Sequence, residues 1–403
     1  MKNVVWWEET ELLDATQATN WLTNLPFSPR WMSEQVVRLL DQYQISNYKV
    51  IVSEHSKLKC ADYISNLNEQ YIIVINTDHL YHNNFLRYVK FTPNNQYTIP
   101  FLVSDTVLNF VSTAEQNPNK TILFCSLVAN LSREISQIAL PNNLIFKGLG
   151  LGTLGHKASQ YTNSPVVTTK SPDAKTFICL NNVNRPHRTA AVTYLLASDL
   201  DQYGYVSCIG WNNDPTVGCF LDWCFDTVHN HVKSEIRKGI TKFDHSKLLN
   251  LPYYKDYLNN YNQVLAPLYQ HTFIDIVTDT TFFEPSEFLN DKYVNTILGA
   301  NFPIFISSSG TVEQLRLLGF DVFDDVIDHS YDTITDHALR LSEAIELNRH
   351  LLVDVELTSR LWHTHADRFK HNQQYFVNEF KQVAETILTS GLESSILELI
   401  KQN

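Results

Sequence analysis

Several signatures that would place a protein at once are missing from these 403 residues. There is no Walker lysine loop, no GxSxG elbow, no HExxH and no CxxC pair, so the commonest ATPase, serine-hydrolase, zinc-protease and dithiol chemistries have no footing here. No window approaches the roughly 18 to 20 apolar residues of a membrane span. The N-terminal MKNVVWWEETELLD meets acids after a short apolar run, so no secretory signal is expected. The 6 cysteines (Cys60, Cys125, Cys179, Cys208, Cys219, Cys224) are scattered, several inside strand-like runs. They read as reduced core thiols of a cytoplasmic protein, not as a disulfide or zinc framework. Basic charge is also short: the net charge of -12 argues against a general nucleic-acid-coating surface.

Core material, by contrast, is plentiful. Hydrophobic residues make up 44% of the chain, with 22 Phe and 19 Tyr, which excludes a disordered protein. The length exceeds one typical core, and two domains is the simplest division. From Tyr48 to Ser53, Tyr71 to Asn76 and Thr121 to Cys125 the chain shows short β-rich runs of the kind buried on both faces of a parallel sheet. Ser33 to Tyr43 carries an apolar stripe at helical spacing. Alternating strands and helices predict an α/β layer.

A strand near Asn143 to Phe146 leads into KGLGLGTLGHK, which holds 4 of the 12 glycines. Gly150, Gly152 and Gly155 match GxGxxG, but a polar, proline-containing stretch follows where the dinucleotide fingerprint needs a helix. The match reads as a turn or hinge, with the domain boundary in the segment beyond it. The second half predicts strands at Thr176 to Leu180, Tyr205 to Trp211 and Phe273 to Thr278, and a helix led by Pro186 at its first position. Lys233, Arg237, Lys238, Lys242 and Lys247 make a basic segment, read either as a solvated helix or as a track for a polyanionic acceptor. A short strand is expected at Gly319 to Phe323. Helices are expected from Thr333 to Leu347 and from Leu351 to about Lys401, the latter broken near Thr389 to Gly391. His363, His365 and His371 read as residues of a solvated helix, because i and i+2 do not face one another.

The stretch TFFEPSEFLNDKYVNTILGANFPIFISSSG, Thr281 to Gly310, organises the second half. It predicts an acidic loop, a helix capped by Asn290, a buried strand from Phe302 to Ser307, and a Ser-rich turn before another helix. Asp291 and Lys292 fall in the first helical turn, where free N–H groups favour an anion. A lysine there runs against the dipole preference. It either pairs with Glu284, Glu287 or Asp291 at the surface or serves a phosphate.

This stretch, together with FICLNNVNRPHRTAAVTYLL, resembles the donor-binding half of the α-1,3-fucosyltransferase family. In that family a strand ending in Asn precedes an Arg-led helix, and an acidic-aromatic loop precedes a (Thr)-Glu-Lys helix and a Pro-containing strand. The continuation GTVEQLRLLGFDVFDDVIDHSYD is similar to phage and marine-microbial relatives of those enzymes. The resemblance covers roughly Thr176 to Arg340. It implies a GT-B-like fold, two doubly wound Rossmann-type domains facing a cleft, and an inverting, metal-independent glycosyltransferase. Such an enzyme moves a sugar from a nucleotide-diphosphate donor, GDP-fucose in the family, to a hydroxyl acceptor, with no cofactor beyond the donor.

Carried over by position, Arg188 and Lys292 would neutralise the diphosphate, where charge accumulates on the leaving group. Asp291 and Glu284 would lie toward the donor, Asp291 at its ribose hydroxyls, and Asn181 and Asn182 would line the strand end. Asp291 stands where the family has Glu, and Asn290 where it has Thr, which puts the sugar contact and the donor identity in question. A general base must come from the first domain; Glu54, Asp78 and Asp105 follow predicted strands, and Asp78 in YIIVINTDH is the preferred one.

The expected organisation is an acceptor-side domain over 1–165, a nucleotide-sugar domain over 166–370, and C-terminal helices over 371–403 that brace the first domain. The acceptor is a glycan, a protein or a modified DNA base, the last disfavoured by charge. The phage relatives are compatible with a viral protein in a host cytoplasm. The competing reading is a non-catalytic GT-B-fold binding or structural module. A cleft in which Arg188 and Lys292 converge speaks for the enzyme, and a filled one for the module.

Overall fold

The computed structural model describes residues 3–8, 11–14, 29–53, 60–76, 90–91, 97–98, 105–126, 138–148, 166–181, 186–207, 268–279 and 291–401, with the single positions 151, 154, 155, 158, 282 and 289. The architecture is α/β and rests on two largely parallel sheets. Strands of the first half are β1 (Val4–Glu8), β2 (Glu11–Asp14), β3 (Tyr48–Ser53), β4 (Tyr71–Asn76), β5 (Lys90–Phe91), β6 (Tyr97–Thr98), β7 (Thr121–Ser126) and β8 (Leu144–Gly148). Except for the small β5–β6 ribbon they form one sheet in the order β2-β1-β3-β4-β7-β8, antiparallel only at the β1–β2 edge.

The parallel strands of this sheet follow chain order, each new one adding to the same edge. Among the described strands, therefore, the reversal that defines double winding is absent from the first sheet. Helices nonetheless cover both of its faces. On one lie α1 (Pro29–Gln42) and a long C-terminal helix; on the other lie α2 (Cys60–Ser65) and α3 (Asp105–Gln116), where Ile64, Phe110 and Ala114 meet Ile51, Ile72 and Phe124.

The second sheet is β9 (Lys175–Cys179), β10 (Gly204–Val206), β11 (Thr272–Thr278) and β12 (Phe302–Ile306), all parallel in the order β10-β9-β11-β12. The chain starts at the inner strand β9, goes one way to β10 and the other to β11. That reversal makes a switch point between β9 and β11, where open α/β sheets bind ligands at the carboxyl ends of the strands. Every residue of β11 and β12 is buried, as expected of strands between two helical layers. In β11 and β12, Ile274, Ile276, Ile304 and Ile306 face the core shared with α4 (Pro186–Ala197). Val277 and Phe305 face α5 (Asp291–Leu298) on the opposite side.

The chain continues through α6 (Thr311–Leu317), α7 (His337–Glu346), α8 (Arg349–Val353), α9 (Val355–Thr364) and α10 (Ala366–Gln374). A π-helical turn, Tyr375–Glu379, then leads into α11 (Phe380–Lys401). Asp336 and Asp354 cap α7 and α9, accepting from the backbone N–H of Leu339 and Leu357, each at 2.8 Å. Helix α11 returns to the first sheet: Ala384, Leu388, Leu392, Ile396 and Leu399 are buried in one core with α1, β3, β4 and β7.

Three local expectations are corrected. Thr389 to Gly391 does not break α11, because the buried stripe on either side of Gly391 outweighs the roughly 1 kcal/mol that glycine costs a helix. The apolar alternation of Gly319 to Phe323 does not make a strand. Gly319 (φ 88°) and Phe323 (φ 63°) are left-handed, and the Asp321 carboxylate accepts the Phe323 N–H at 2.9 Å, so the segment is a tight turn with Phe320 and Val322 buried. The glycine-rich stretch after β8 is not turn alone, since Leu154, Gly155 and Ala158 are helical.

Among the described residues no helix is long and apolar enough to cross a membrane. Cys125 and Cys179 are buried free thiols, and burial pushes the Cys125 thiol up to about 12, leaving it inert as a nucleophile.

Candidate functional site

The switch point is built from three strand ends. After β9 comes Asn181; β11 ends in Thr278 and is followed by Asp279; β12 is followed by Ser307 and Ser308. Asn181 is fixed from two sides: its backbone N–H donates to Ser207 Oγ at 3.0 Å, and its side-chain oxygen accepts from the Thr278 hydroxyl at 2.6 Å.

Two helices deliver cations to the same place. Pro186 sets the first turn of α4 and puts His187 and Arg188 over the end of β11. Arg188 Nε and Nη2 donate to the Asp279 carbonyl at 3.2 and 3.0 Å, and His187 Nε2 meets the same oxygen at 2.8 Å. From the other side, Lys292 in the first turn of α5 donates its amine to the Thr278 carbonyl. The next residue, Tyr293, donates its hydroxyl to the Asp279 carboxylate. One turn further, the Thr296 hydroxyl donates to Asp275 Oδ2 at 2.5 Å. Helix α5 is thus bound to β11 by three side chains, and Arg188 and Lys292 end on consecutive carbonyls.

A second layer stands behind. Arg340 of α7 is 2% exposed and donates to the carbonyls of Ser307 (2.9 Å), Phe282 (2.7 Å) and Ile334 (2.6 Å). Its guanidinium lies 4.7 Å from the centre of the Phe282 ring, whose other contacts include a stacked His187 at 5.0 Å. His337 takes Arg340 Nη2 at 2.9 Å; burial, with the Arg340 charge adding to it, pushes its imidazole down to about 3, so it is a neutral acceptor.

Two carboxylates near the site already have work. Asp332 accepts the backbone N–H of Val312 and Glu313 at 3.1 and 3.3 Å, so the amides that open α6 are occupied by the chain's own carboxylate. Burial raises the Asp332 pKa against those bonds. Asp275 lies four residues before Asp279 on the same face and bonds the Tyr269 and Thr296 hydroxyls. Among the described residues no group of three His, Cys, Asp or Glu side chains is placed to hold a metal ion. His363 and His371 are exposed, while His365 meets Arg368 at 3.1 Å.

Of the residues expected at the donor site, Asn181, Arg188 and Lys292 come together around the end of β11. Asp291 opens α5, but its side chain lies outside the description; Asn182, Glu284 and Asp78 lie outside the described residues altogether. Asn181 and Arg188 are buried, 2% and 4% exposed, and Lys292 is half-buried. Asp279, Tyr293, Ser308 and Arg340 were not singled out. One cue was readable: Asp279 directly follows a strand's carboxyl end and shares a strand face with Asp275. Comparison with protein-family models, curated proteins and solved structures finds no match to this chain.

Proposed function

We propose that the chain is a glycosyltransferase whose second sheet holds a nucleotide-sugar donor at its switch point and whose first domain presents a hydroxyl acceptor. The observation that carries the reading is the convergence of Arg188 and Lys292 on the Asp279 and Thr278 carbonyls at that point. Each cation there bonds a neutral backbone oxygen. A phosphate oxygen is the stronger, charge-assisted acceptor, so a diphosphate would take both donors in exchange. In transfer, the same two cations would stabilise the charge that builds on the leaving nucleoside diphosphate. GDP-fucose as donor, Asp78 as base, and a glycan, protein or DNA base as acceptor belong to this proposal on the strength of the family resemblance.

A second reading has its own support. Arg188 is 4% exposed with its guanidinium on backbone, as in a domain that keeps the fold as a binding or structural module. Thermal melts with GDP, UDP, ADP, CDP and their sugar conjugates separate the two. Ligand at about 100 times its dissociation constant stabilises by roughly 2.7 kcal/mol. The transferase reading expects a shift with one nucleotide, lost in Lys292→Ala and reduced in Arg188→Lys. A folded protein that shifts with none of them supports the module instead.

A further inference from the structure

We propose that Ser308 is a ligand-contacting residue of the switch point, its hydroxyl meeting a phosphate oxygen of the nucleoside diphosphate. The inference rests on the donor-site reading above. Ser308 is 1% exposed, and its Oγ has no hydrogen-bond partner among the described residues. A buried hydroxyl in that state is destabilising and calls for an explanation, commonly a missing water, ion or ligand.

The turn that carries Ser308 is held firmly. Its carbonyl accepts the Thr311 hydroxyl at 2.7 Å, and the Gly310 N–H two residues on donates to the Asp332 carbonyl at 3.0 Å. Gly310 is left-handed (φ 86°), a conformation open to glycine at little cost. The backbone around the hydroxyl is therefore specified.

Register places the turn that carries the hydroxyl. Thr278 of β11 pairs with Ile306 of β12, and the Asp279 N–H donates to the Ile306 carbonyl at 3.0 Å. Ser308 follows two residues later, in the turn beyond the end of β12, the strand that neighbours β11 at the usual spacing of about 5 Å. A buried cation lies beside the turn, close to the carboxylates of Asp279 and Asp332. The Ser307 carbonyl is bound by buried Arg340, whose contacts to Ser307, Ile334, Thr335, Phe282 and His337 match the five N–H groups of a guanidinium. Arg340 thus supplies a fixed positive charge without offering a donor to the ligand. The N–H groups of Val312 and Glu313 are taken by Asp332, whereas the Ser308 hydroxyl is a buried donor suited to a phosphate oxygen.

The test is Ser308→Ala in the full chain, compared with wild type by thermal melting and by calorimetric titration with the nucleoside diphosphate that stabilises wild type and with inorganic pyrophosphate. The substitution removes one atom, so the fold should persist. The expected result is an unliganded melting temperature equal to or above wild type, with binding of both probes weakened about tenfold, as for loss of a bond to a charged group. Unchanged affinity with a raised melting temperature would mean that the hydroxyl faces only a buried water, and would overturn the proposal. A lowered melting temperature with unchanged affinity makes Ser308 structural and overturns it too. Weakening for the nucleotide but not for pyrophosphate moves the contact to ribose or base and defeats the phosphate assignment. A wild type that binds no nucleoside diphosphate removes the donor-site reading itself, a result recognisable before any variant is made.

Discussion

Thr296 donates its hydroxyl to Asp275 Oδ2 at 2.5 Å, and the Tyr269 hydroxyl reaches the same oxygen at 2.8 Å. This pair ties α5 to the middle of β11, one turn below the Lys292 contact. Burial outweighs these bonds and pushes the Asp275 carboxyl up to about 6, with the charges of Lys292 and Lys170 pulling the other way. An acid whose folded pKa is raised stabilises the protein below its unfolded value, about 4, and loses that contribution as pH rises through the folded value. Asp275 should therefore make the protein less stable on going from pH 4 to above pH 6, by on the order of 3 kcal/mol. Asp275→Asn keeps an oxygen for both hydroxyls and should flatten this part of the profile. Urea unfolding at a series of pH values checks it; an identical slope in the variant counts against the assignment.

Arg340 holds three backbone segments at the carboxyl end of the second sheet. In Arg340→Met the carbonyls of Phe282, Ser307 and Ile334 lose their donor, the first two while still buried. The expected cost exceeds about 3 kcal/mol, since each unsatisfied buried group costs about 1 to 3. Arg340→Lys should recover little, because an ammonium lacks the planar fork that reaches several acceptors at once. His337 gives an independent readout. With the guanidinium gone, the imidazole pKa should rise from its depressed value, which an NMR titration of a folded variant would show.

Helix α11 supplies one face of the first sheet's core. Leu392 is fully buried there, whereas Ile387, on the same helix, is 41% exposed. Leu392→Ala should cost about 2 to 5 kcal/mol and Ile387→Ala within about 0.5 kcal/mol. Equal effects in chemical denaturation would show that α11 is not docked as described.

Much of both sheets was legible. The runs predicted at Tyr48, Tyr71, Thr121, Thr176, Phe273 and Phe302 are strands within about one residue at either end, because strands buried on both faces must be continuous β-branched and apolar runs. Pro186 opens α4 for an equally local reason: its fixed φ and missing N–H suit a first helical turn. Where a pattern misled, a local signal was overruled by packing. Phe320 and Val322 alternate like a strand, yet both are buried from a turn set by left-handed Gly319 and Phe323.

The candidate site was legible only in part. Arg188 entered through the family resemblance, while Lys292 stood out because it sits in the first turn of a helix beyond a strand, a position with local meaning. Arg340 did not, since an arginine on an amphipathic helix has the same sequence signature whether it is solvated or buried under three carbonyls. Ser308 is one of several serines in a turn, and only its burial without a partner distinguishes it.

By itself the sequence determined most element types, the match of the longer apolar runs to buried strands, and Lys292 at a helix start, because those depend on backbone preferences and short-range burial. Strand order was decided by the tertiary structure alone: consecutive in the first sheet, reversed between β9 and β11 in the second. So was the meeting of Asn181, Arg188 and Lys292, drawn from segments over a hundred residues apart. Long-range pairing follows from which faces can be buried together, and no local pattern encodes that choice.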